Sequence, residues 1–243
     1  MINILWPTVR PHVAAAMAKD WAKKADGDDF EIKFGVNDEA HFDILTGCDT
    51  GCAFDFKFSV HLELDARPGI THTATRMSVS ASGEYAGIYI LASDDFEAPK
   101  GWDTHLKEQF KDFDGALICN DGYKPGTNII PIPIMGAGMM KSLRGIIYHP
   151  EYHHFFSDQE LFDVVNELNP KNHCVRDLRA TKASQFRHRH WSFSGGRKKD
   201  NFDLRNNGWW KEDEETYKRR LGLSVEEKLR IKRDVFPEYF YER

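Results

Sequence analysis

Residues 88–96 read IYILASDDF, an apolar run followed by two adjacent acidic residues. The apolar run 88–92 shows no polar alternation, which predicts a strand that is buried on both faces of a sheet. Asp94 and Asp95 follow at the point where the strand emerges. Two adjacent carboxylates repel each other and lose solvation there, so a divalent cation that bridges a diphosphate would explain the pair. The alternative is an ordinary turn or helix N-cap with surface acids.

The residues before this stretch alternate between strand and helix patterns. The run 2–6, INILW, predicts a buried first strand, and HVAAAMAKDWAKKA (12–25) predicts a helix. Residues 31–36 predict a second strand that stops at Asn37-Asp38. The segment 54–65, FDFKFSVHLELD, alternates with period two and predicts a half-buried strand or hairpin.

The residues after it continue the alternation. Strands are predicted at 116–119 and 129–135, the second at a sheet edge because it contains Pro131 and Pro133. Helices are predicted at 74–86, 106–112, 139–147, 158–168 and 225–233, and a Ser157/Glu160 capping box opens the fourth of them. The whole pattern predicts an α/β fold, a mostly parallel sheet with helices on both faces. Ligands of such sheets bind at the carboxyl ends of the strands.

Charge is distributed unevenly along the chain of 243 residues, which carries a net charge of −5. Residues 1–170 hold 14 Lys+Arg against 26 Asp+Glu, whereas residues 171–243 hold 19 against 12. The excess of basic residues is concentrated in 171–211, which holds 11 Lys+Arg against 3 Asp+Glu. This indicates an acidic body at 1–170 and a basic carboxyl-terminal segment at 171–243 that meets a polyanion: a nucleotide diphosphate, a nucleic acid or an acidic surface. The alternative is a solvated charged face.

Composition excludes several classes of protein. No run of 18 apolar residues is present, so no membrane span is expected, and the amino terminus lacks the pattern of a secretory signal. We therefore expect a cytoplasmic protein with reduced thiols. Cys48 and Cys52 fit a disulfide, half a metal site or two plain thiols.

Residues 75–103, TRMSVSASGEYAGIYILASDDFEAPKGWD, resemble the central stretch of GT-A-type glycosyltransferases, especially the family 2 group. The segment 186–203, FRHRHWSFSGGRKKDNFD, is similar to the His-x-His and Gly-Lys pattern in the carboxyl tails of phage-type members. The resemblance covers about residues 2–203. It is carried by Arg76, Gly87, the strand 88–92, Ser93-Asp94-Asp95 and Gly101-Trp102, and by the strand ends at Thr8-Arg10 and Asp38.

The resemblance implies a GT-A-like (Rossmann-like) fold and a divalent metal, Mn²⁺ or Mg²⁺. Asp95 would bind the metal, and Asp94 would contact ribose or the metal. Ser93 stands where the family usually has its first Asp, which leaves a ligand position open. His190, in preference to His188, is the predicted replacement, since imidazole is a common ligand of transition metals. The alternative for His190 is ring stacking within an aromatic and basic loop.

The resemblance also implies a nucleotide-sugar donor, for which we expect a UDP-sugar. Its binding residues would be Thr8, Arg10, Asp38, Arg76 and Lys198. Asp38 would accept the N–H of a uracil-like base, and Arg10 would pair with phosphate. The resemblance implies that residues 1–170 form the nucleotide-sugar-binding and catalytic core and that the basic segment 171–243 closes over the donor and acceptor site.

Asp158 corresponds to the general base of the family. Displacement at an anomeric carbon requires a base opposite the leaving diphosphate, and a base there implies inversion of configuration. A helix start keeps a carboxylate ionised. The alternative is a first-turn Asp that only caps the helix.

Trp102 and His154 are predicted on the acceptor side. The loop 148–154, YHPEYHH, would contact the acceptor or form a metal cluster, and Trp209-Trp210 would dock the tail or stack on a sugar or base. The expected acceptor is a glycan. The alternatives are a hydroxymethylated DNA base, modified by a phage-type enzyme in host cytoplasm, and a non-catalytic nucleic-acid-binding protein. A nucleotidyltransferase would need a Gly-rich phosphate loop near the first strand, which the sequence lacks.

Overall fold

The computed structural model describes residues 1–47, 54–63, 69–80, 86–122, 128–168, 174–189 and 207–239. The strands are β1 Ile2–Pro7, β2 Phe30–Val36, β3 Phe58–Leu62, β4 Ile88–Leu91, β5 Phe96–Glu97, β6 Ala116–Ile118, β7 Ile134–Gly136, β8 Val175–Asp177 and β9 Arg187–His188. The helices are α1 Pro11–Lys24, α2 Glu39–Thr46, α3 Ile70–Ser80, α4 Trp102–Gln109, α5 Ala137–Ser142, α6 Ser157–Leu168, α7 Trp210–Arg220 and α8 Val225–Lys228.

Seven strands form one mixed sheet in the order β3-β2-β1-β4-β7-β6-β8. Strands β1 to β4 pair in parallel, β7 is antiparallel to both β4 and β6, and β8 is parallel to β6. A separate two-stranded ribbon joins β5 to β9. The predicted mostly parallel sheet is therefore confirmed.

Helices cover both faces of this sheet. Ile4, Trp6 and Ile90 point into one core with residues of α1 and α4. Leu5 and Leu91 point into a second core with residues of α3, α5 and α6. Because each central strand is buried on both faces, β1 and β4 appear in the sequence as continuous apolar runs.

In the described part of the segment 54–65, residues 54–63, the strand is Phe58–Leu62, and it pairs with β2 from Ile32↔Phe58 to Val36↔Leu62. Phe54 precedes the strand and packs against Phe58, with ring centroids 4.5 Å apart. The period-two pattern thus correctly places the phenylalanines on the core face, but the strand begins later than predicted.

The prediction of an edge strand at 129–135 is wrong. Strand β7 lies inside the sheet, between β4 and β6. Pro131 and Pro133 come before the strand, where a missing N–H costs no ladder bond. The carbonyl of Pro133 still accepts a hydrogen bond from the Leu91 N–H at 2.9 Å.

Two helices escape the sequence prediction. Helix α2 begins at Asp38, whose Oδ1 accepts hydrogen bonds from the N–H groups of Ala40 and His41. Helix α7 is almost entirely polar, so it has no apolar period to detect. Within the described residues, no helix has the length and hydropathy needed to cross a membrane.

A buried ion pair attaches α7 to α6. The Arg220 guanidinium makes a two-pronged contact with the Glu160 carboxylate, with Nη2 2.7 Å from Oε1 and Nε 2.8 Å from Oε2. The Tyr152 hydroxyl donates a hydrogen bond to the same carboxylate. The predicted Ser157/Glu160 capping box is therefore wrong. In a capping box the Glu160 carboxylate would accept a hydrogen bond from the helix N-cap, whereas here it binds Arg220 and Tyr152.

Replacing Arg220 with alanine is expected to destabilise the fold by about 3–5 kcal/mol, because Glu160 is left charged and buried without its partner. Urea denaturation measures this loss. The control is Arg219→Ala: Arg219 is 60% exposed, and loss of its contact with Glu151 is expected to cost less than about 1 kcal/mol. Equal losses in the two variants would contradict the structural role of the Arg220–Glu160 pair.

Candidate active site

Three strands that run in the same direction end at one edge of the sheet, here called the carboxyl edge. Strands β1 and β4 are parallel, and β6 runs the same way because both β4 and β6 are antiparallel to β7. Thr8 follows β1, Asp94 and Asp95 follow β4, and Asp121 follows β6. The fold thus gathers carboxylates from strands that are far apart in the chain.

Asp94 points inward from this edge. Its Oδ1 accepts a hydrogen bond from Trp6 Nε1 at 3.1 Å, and its Oδ2 accepts one from Thr8 Oγ1 at 2.9 Å. Arg10 Nε lies 3.7 Å from Oδ2. Burial raises the pKa of Asp94 to about 7, although the Arg10 charge and the two hydrogen bonds oppose that rise.

These contacts change the role expected for Thr8 and Asp94. Thr8 is 1% exposed, and its hydroxyl also accepts the Arg10 N–H at 2.9 Å. Both side chains therefore join β1 to β4 and set the position of Arg10. Neither offers the accessible surface that direct nucleotide binding, expected from the sequence, would require.

The Asp95 side chain has different partners from that of Asp94. Ser93 Oγ donates a hydrogen bond to Oδ1 at 2.6 Å, and His188 Nε2 lies 3.4 Å from Oδ2. Burial alone would raise the pKa of Asp95, but the His188 contact and the Ser93 hydroxyl hold it well below its usual range. Asp95 is thus an ionised carboxylate, and Ser93 orients it.

The ribbon brings His188 to this place. Phe96 of β5 pairs with His188 of β9, and their rings stack at 4.3 Å with an interplanar angle of 14°. The Arg189 N–H also donates to the Asp95 carbonyl at 2.6 Å. Of the two histidines in the His-x-His motif, the structure places His188 beside Asp95, whereas the preferred His190 lies outside the described residues.

Asp158 lies half-buried at the start of α6. Burial raises its pKa, and the charge of His188 lowers it while that of Asp121 raises it, so both groups lie within electrostatic range. The Gln159 N–H donates to Oδ1 at 2.9 Å, and the Ile130 N–H donates to the backbone carbonyl of Asp158 at 3.3 Å. His188 is therefore in contact with Asp95 and within electrostatic range of Asp158.

Asp121 is the residue that sequence reasoning missed. It follows β6 just as Asp95 follows β4, so the strand-end rule was sufficient to find it. Its backbone carbonyl accepts the His188 N–H at 2.8 Å, which fixes the ribbon against the carboxyl edge. His188 itself was named by the sequence, but as the second choice.

Arg76 and Trp102 have different surroundings. Arg76 Nε pairs at 2.8 Å with Oε2 of Glu63, which directly follows β3, and its role in nucleotide-sugar binding stays a prediction. Trp102 is 0% exposed and donates its indole N–H to the Trp21 carbonyl, so it is a core residue and not an acceptor contact. The buried Trp102 follows Gly101, whose φ of 68° favours glycine.

The remaining predicted residues stay predictions. Asp38 is exposed at the end of β2, on the carboxyl edge, where it caps α2. His154 lies on the loop before Asp158, with its ring 4.7 Å from that of Phe155. Lys198 lies outside the described residues, as do Cys48 and Cys52.

The donor set at Asp95 fits a divalent cation only in part. No group of three or more His, Cys, Asp or Glu side chains is arranged for a metal among the residues with described positions. Asp95 and His188 provide two ligand atoms 3.4 Å apart. Mg²⁺ commonly takes only one or two protein ligands and completes its shell with phosphate oxygens and water. The two residues therefore suit a cation that binds together with a diphosphate.

Comparison with known proteins supports the fold. No protein-family model and no curated protein matches this sequence. The solved structure of S. aureus TarS 1–349 aligns with a TM-score of 0.52 and 11% identity, over 77% of this chain and 60% of that chain. A longer S. aureus TarS structure aligns with a TM-score of 0.46 and 12% identity, over 66% of this chain and 32% of that chain. Mouse xyloside xylosyltransferase 1 aligns with a TM-score of 0.41 and 11% identity, over 73% of this chain and 84% of that chain.

The chain thus spans less than two thirds of the two TarS structures. At these identities the likeness concerns the fold alone. The chain has the GT-A-like α/β fold that the sequence predicts.

Proposed function

We propose that this protein is a metal-dependent glycosyltransferase that moves a sugar from a UDP-sugar to a hydroxyl acceptor. The observation that carries the proposal is the contact of Asp95 with His188 at the carboxyl edge of a GT-A-like sheet, with Asp158 within electrostatic range of that imidazole. Ligands of open α/β sheets bind at this edge. Perturbed carboxyl pKa values, lowered at Asp95 and raised at Asp158, are typical of functional sites.

The donor side of the site is formed by Asp95, His188 and Arg10. Arg10 stands beside Asp94, within electrostatic range of Asp95, and supplies the positive charge that a phosphate needs. Asp38, exposed at the same edge, is placed to meet the base of the nucleotide. The basic segment 171–243 contributes β9 to this site, which supports the proposal that it closes over the donor.

Asp95 and His188 would hold Mn²⁺ or Mg²⁺ in the active enzyme. Such a cation neutralises the charge that develops on the leaving diphosphate. The carboxylate and the imidazole provide one oxygen and one nitrogen ligand, and Ser93 and the Phe96 ring keep them in place.

Asp158 acts as the general base. Its carboxylate accepts the proton of the acceptor hydroxyl as that oxygen forms a bond to the anomeric carbon. The bond between the anomeric carbon and the diphosphate oxygen breaks, and its electron pair leaves with UDP. The raised pKa makes Asp158 a stronger base than an ordinary aspartate. Attack from the face opposite the diphosphate gives inversion.

A hydroxymethylated DNA base is the second acceptor class. It is favoured by the phage-type pattern in the carboxyl tail and by the excess of basic residues in 171–211, of which 174–189 holds five basic residues against one acidic residue. The experiments below separate it from a glycan acceptor.

Incubation with a panel of nucleotide sugars and divalent metals tests the donor half of the proposal. We expect slow release of UDP from a UDP-sugar in Mn²⁺ or Mg²⁺, and loss of that release in EDTA. Free nucleotide diphosphate is the readout, with heat-denatured protein as the control. If no donor gives free nucleotide diphosphate and no nucleotide binds, the proposed function is refuted.

A further inference from the structure

An aromatic surface lies where α7 meets the loop before Asp158. The Trp210 ring stands 4.8 Å from Phe155 and 5.0 Å from Phe156, edge to face in both cases. Beside it, Trp209 stacks on His153 at 5.1 Å with an angle of 17°. These five residues are called the aromatic shelf below.

Trp210 is the exposed member of the shelf. Of the five tryptophans in the described ranges, Trp6, Trp21 and Trp102 are completely buried, and Trp209 is half-buried. Trp210 is 52% exposed. A large aromatic ring that is held by two neighbouring rings and still open to solvent is typical of a binding surface.

A buried carboxylate holds the shelf together. Asp213 is completely buried and accepts hydrogen bonds from the N–H groups of His153 (2.9 Å), His154 (2.9 Å) and Phe155 (2.8 Å). A charge that is removed from water is tolerated when strong hydrogen bonds replace its hydration, as they do here. The loop is therefore fixed against α7, so a ligand would meet a surface that is already ordered.

We infer that the aromatic shelf binds the acceptor, and that this acceptor is a neutral saccharide. The inference rests on the proposed function, because it assigns the shelf to the substrate of Asp158. Phe155 and Phe156 lead directly into Ser157-Asp158, so the shelf borders the base along the chain. Aromatic rings accept the C–H faces of sugar rings without requiring charge.

Local charge favours a saccharide over DNA. Lys211 and four acidic residues at 212–215 directly follow Trp210, whereas the other basic residues of α7, at 218–220, lie in its last turn. Glu212 and Glu215 are exposed next to Trp210. A phosphate backbone placed on this surface would be repelled, because affinity for DNA depends on cations that neutralise its phosphates. A neutral glycan meets no such barrier.

Binding of maltohexaose, cellohexaose and chitohexaose, measured by tryptophan fluorescence and calorimetry, tests the inference. We expect at least one of them to bind the wild type, and Trp210→Ala to weaken its Kd at least tenfold. Trp210→Phe is expected to give an intermediate Kd. The control is Leu221→Ala, since Leu221 is 50% exposed just beyond the end of α7 and lies outside the shelf.

Three outcomes would overturn the inference. These are no binding of any hexasaccharide to the wild type, equal Kd values for Trp210→Ala and the wild type, and tighter Trp210-dependent binding of a hydroxymethylcytosine-containing DNA duplex. Release of UDP by the wild type, measured without acceptor, reports on the proposed function separately. The two hypotheses can therefore fail independently.

Discussion

Asp95→Asn is expected to lower metal-dependent release of UDP by at least about 10²-fold, the scale seen when one electrostatic contact to a developing charge is removed. The amide keeps the size of the side chain and can still accept from Ser93, but it loses the negative charge that would bind the cation. We also expect the Mn²⁺ concentration for half-maximal activity to rise. Titration of activity with Mn²⁺ measures both effects.

The control for Asp95→Asn is Glu97→Gln, which lies in the same ribbon. Glu97 pairs with Arg189 at 2.9 Å, so this variant tests whether any charge lost from β5 and β9 disturbs the site. It is expected to keep near-normal activity. If Glu97→Gln and Asp95→Asn lose activity equally, the loss is caused by disruption of the β5–β9 ribbon, and the proposed binding of the metal by Asp95 is wrong.

Asp158→Asn is expected to lower sugar transfer by about 10²–10⁴-fold, the usual contribution of a general base. Donor affinity should change little, since Asp158 is assigned to the acceptor proton. In the wild type, we expect transfer to fall on acidification at a higher pH than an ordinary aspartate would give, because burial raises the pKa of Asp158. Rates measured against pH at saturating donor check this.

The same variant is expected to be more stable than the wild type at pH 7. A carboxyl whose pKa is raised by folding is protonated in both states below its unfolded pKa, about 3.9, and costs nothing there. The cost grows as pH rises towards the folded-state pKa and stays constant above it. Asparagine removes that cost, so the gain in Tm should be present at pH 7 and vanish near pH 3.

Asp163→Asn on the same helix is the control for Asp158→Asn. Asp163 accepts the Tyr217 hydroxyl at 2.8 Å, a bond that the amide oxygen of asparagine can keep. Transfer should be unaffected. An Asp158→Asn variant that transfers at the wild-type rate would remove Asp158 from catalysis.

Local patterns predicted the central strands β1, β2 and β4 well, but they missed the short strands β5, β8 and β9 and one helix cap. The run 88–92 identified β4 within one residue, because a strand buried on both faces must be apolar throughout. The pattern Ser157/Glu160 failed as a capping box, because Arg220, 60 residues away, offers Glu160 a stronger bond. A cap is a weak local preference, and a buried ion pair overrides it.

The division of roles between Asp94 and Asp95 was hidden for a similar reason. The two residues are chemically identical and adjacent. Asp94 turns inward only because Trp6 and Thr8 of a different strand provide its donors. The Asp95 carboxylate instead contacts His188, which lies 93 residues further along the chain and is brought there by the pairing of β5 with β9.

The class of fold, the strand that carries the acidic pair, and the helix with Asp158 in its first turn could all be predicted from the sequence. These features depend on burial and periodicity, and both can be recognised from the order of apolar and polar residues in the sequence. Only the tertiary structure decided that Asp94 is an anchor, that His188 is the neighbour of Asp95, that Trp102 is core and that Asp213 holds the loop before Asp158. Each of those depends on partners more than 50 residues apart, which are selected by packing, and no local pattern contains that information.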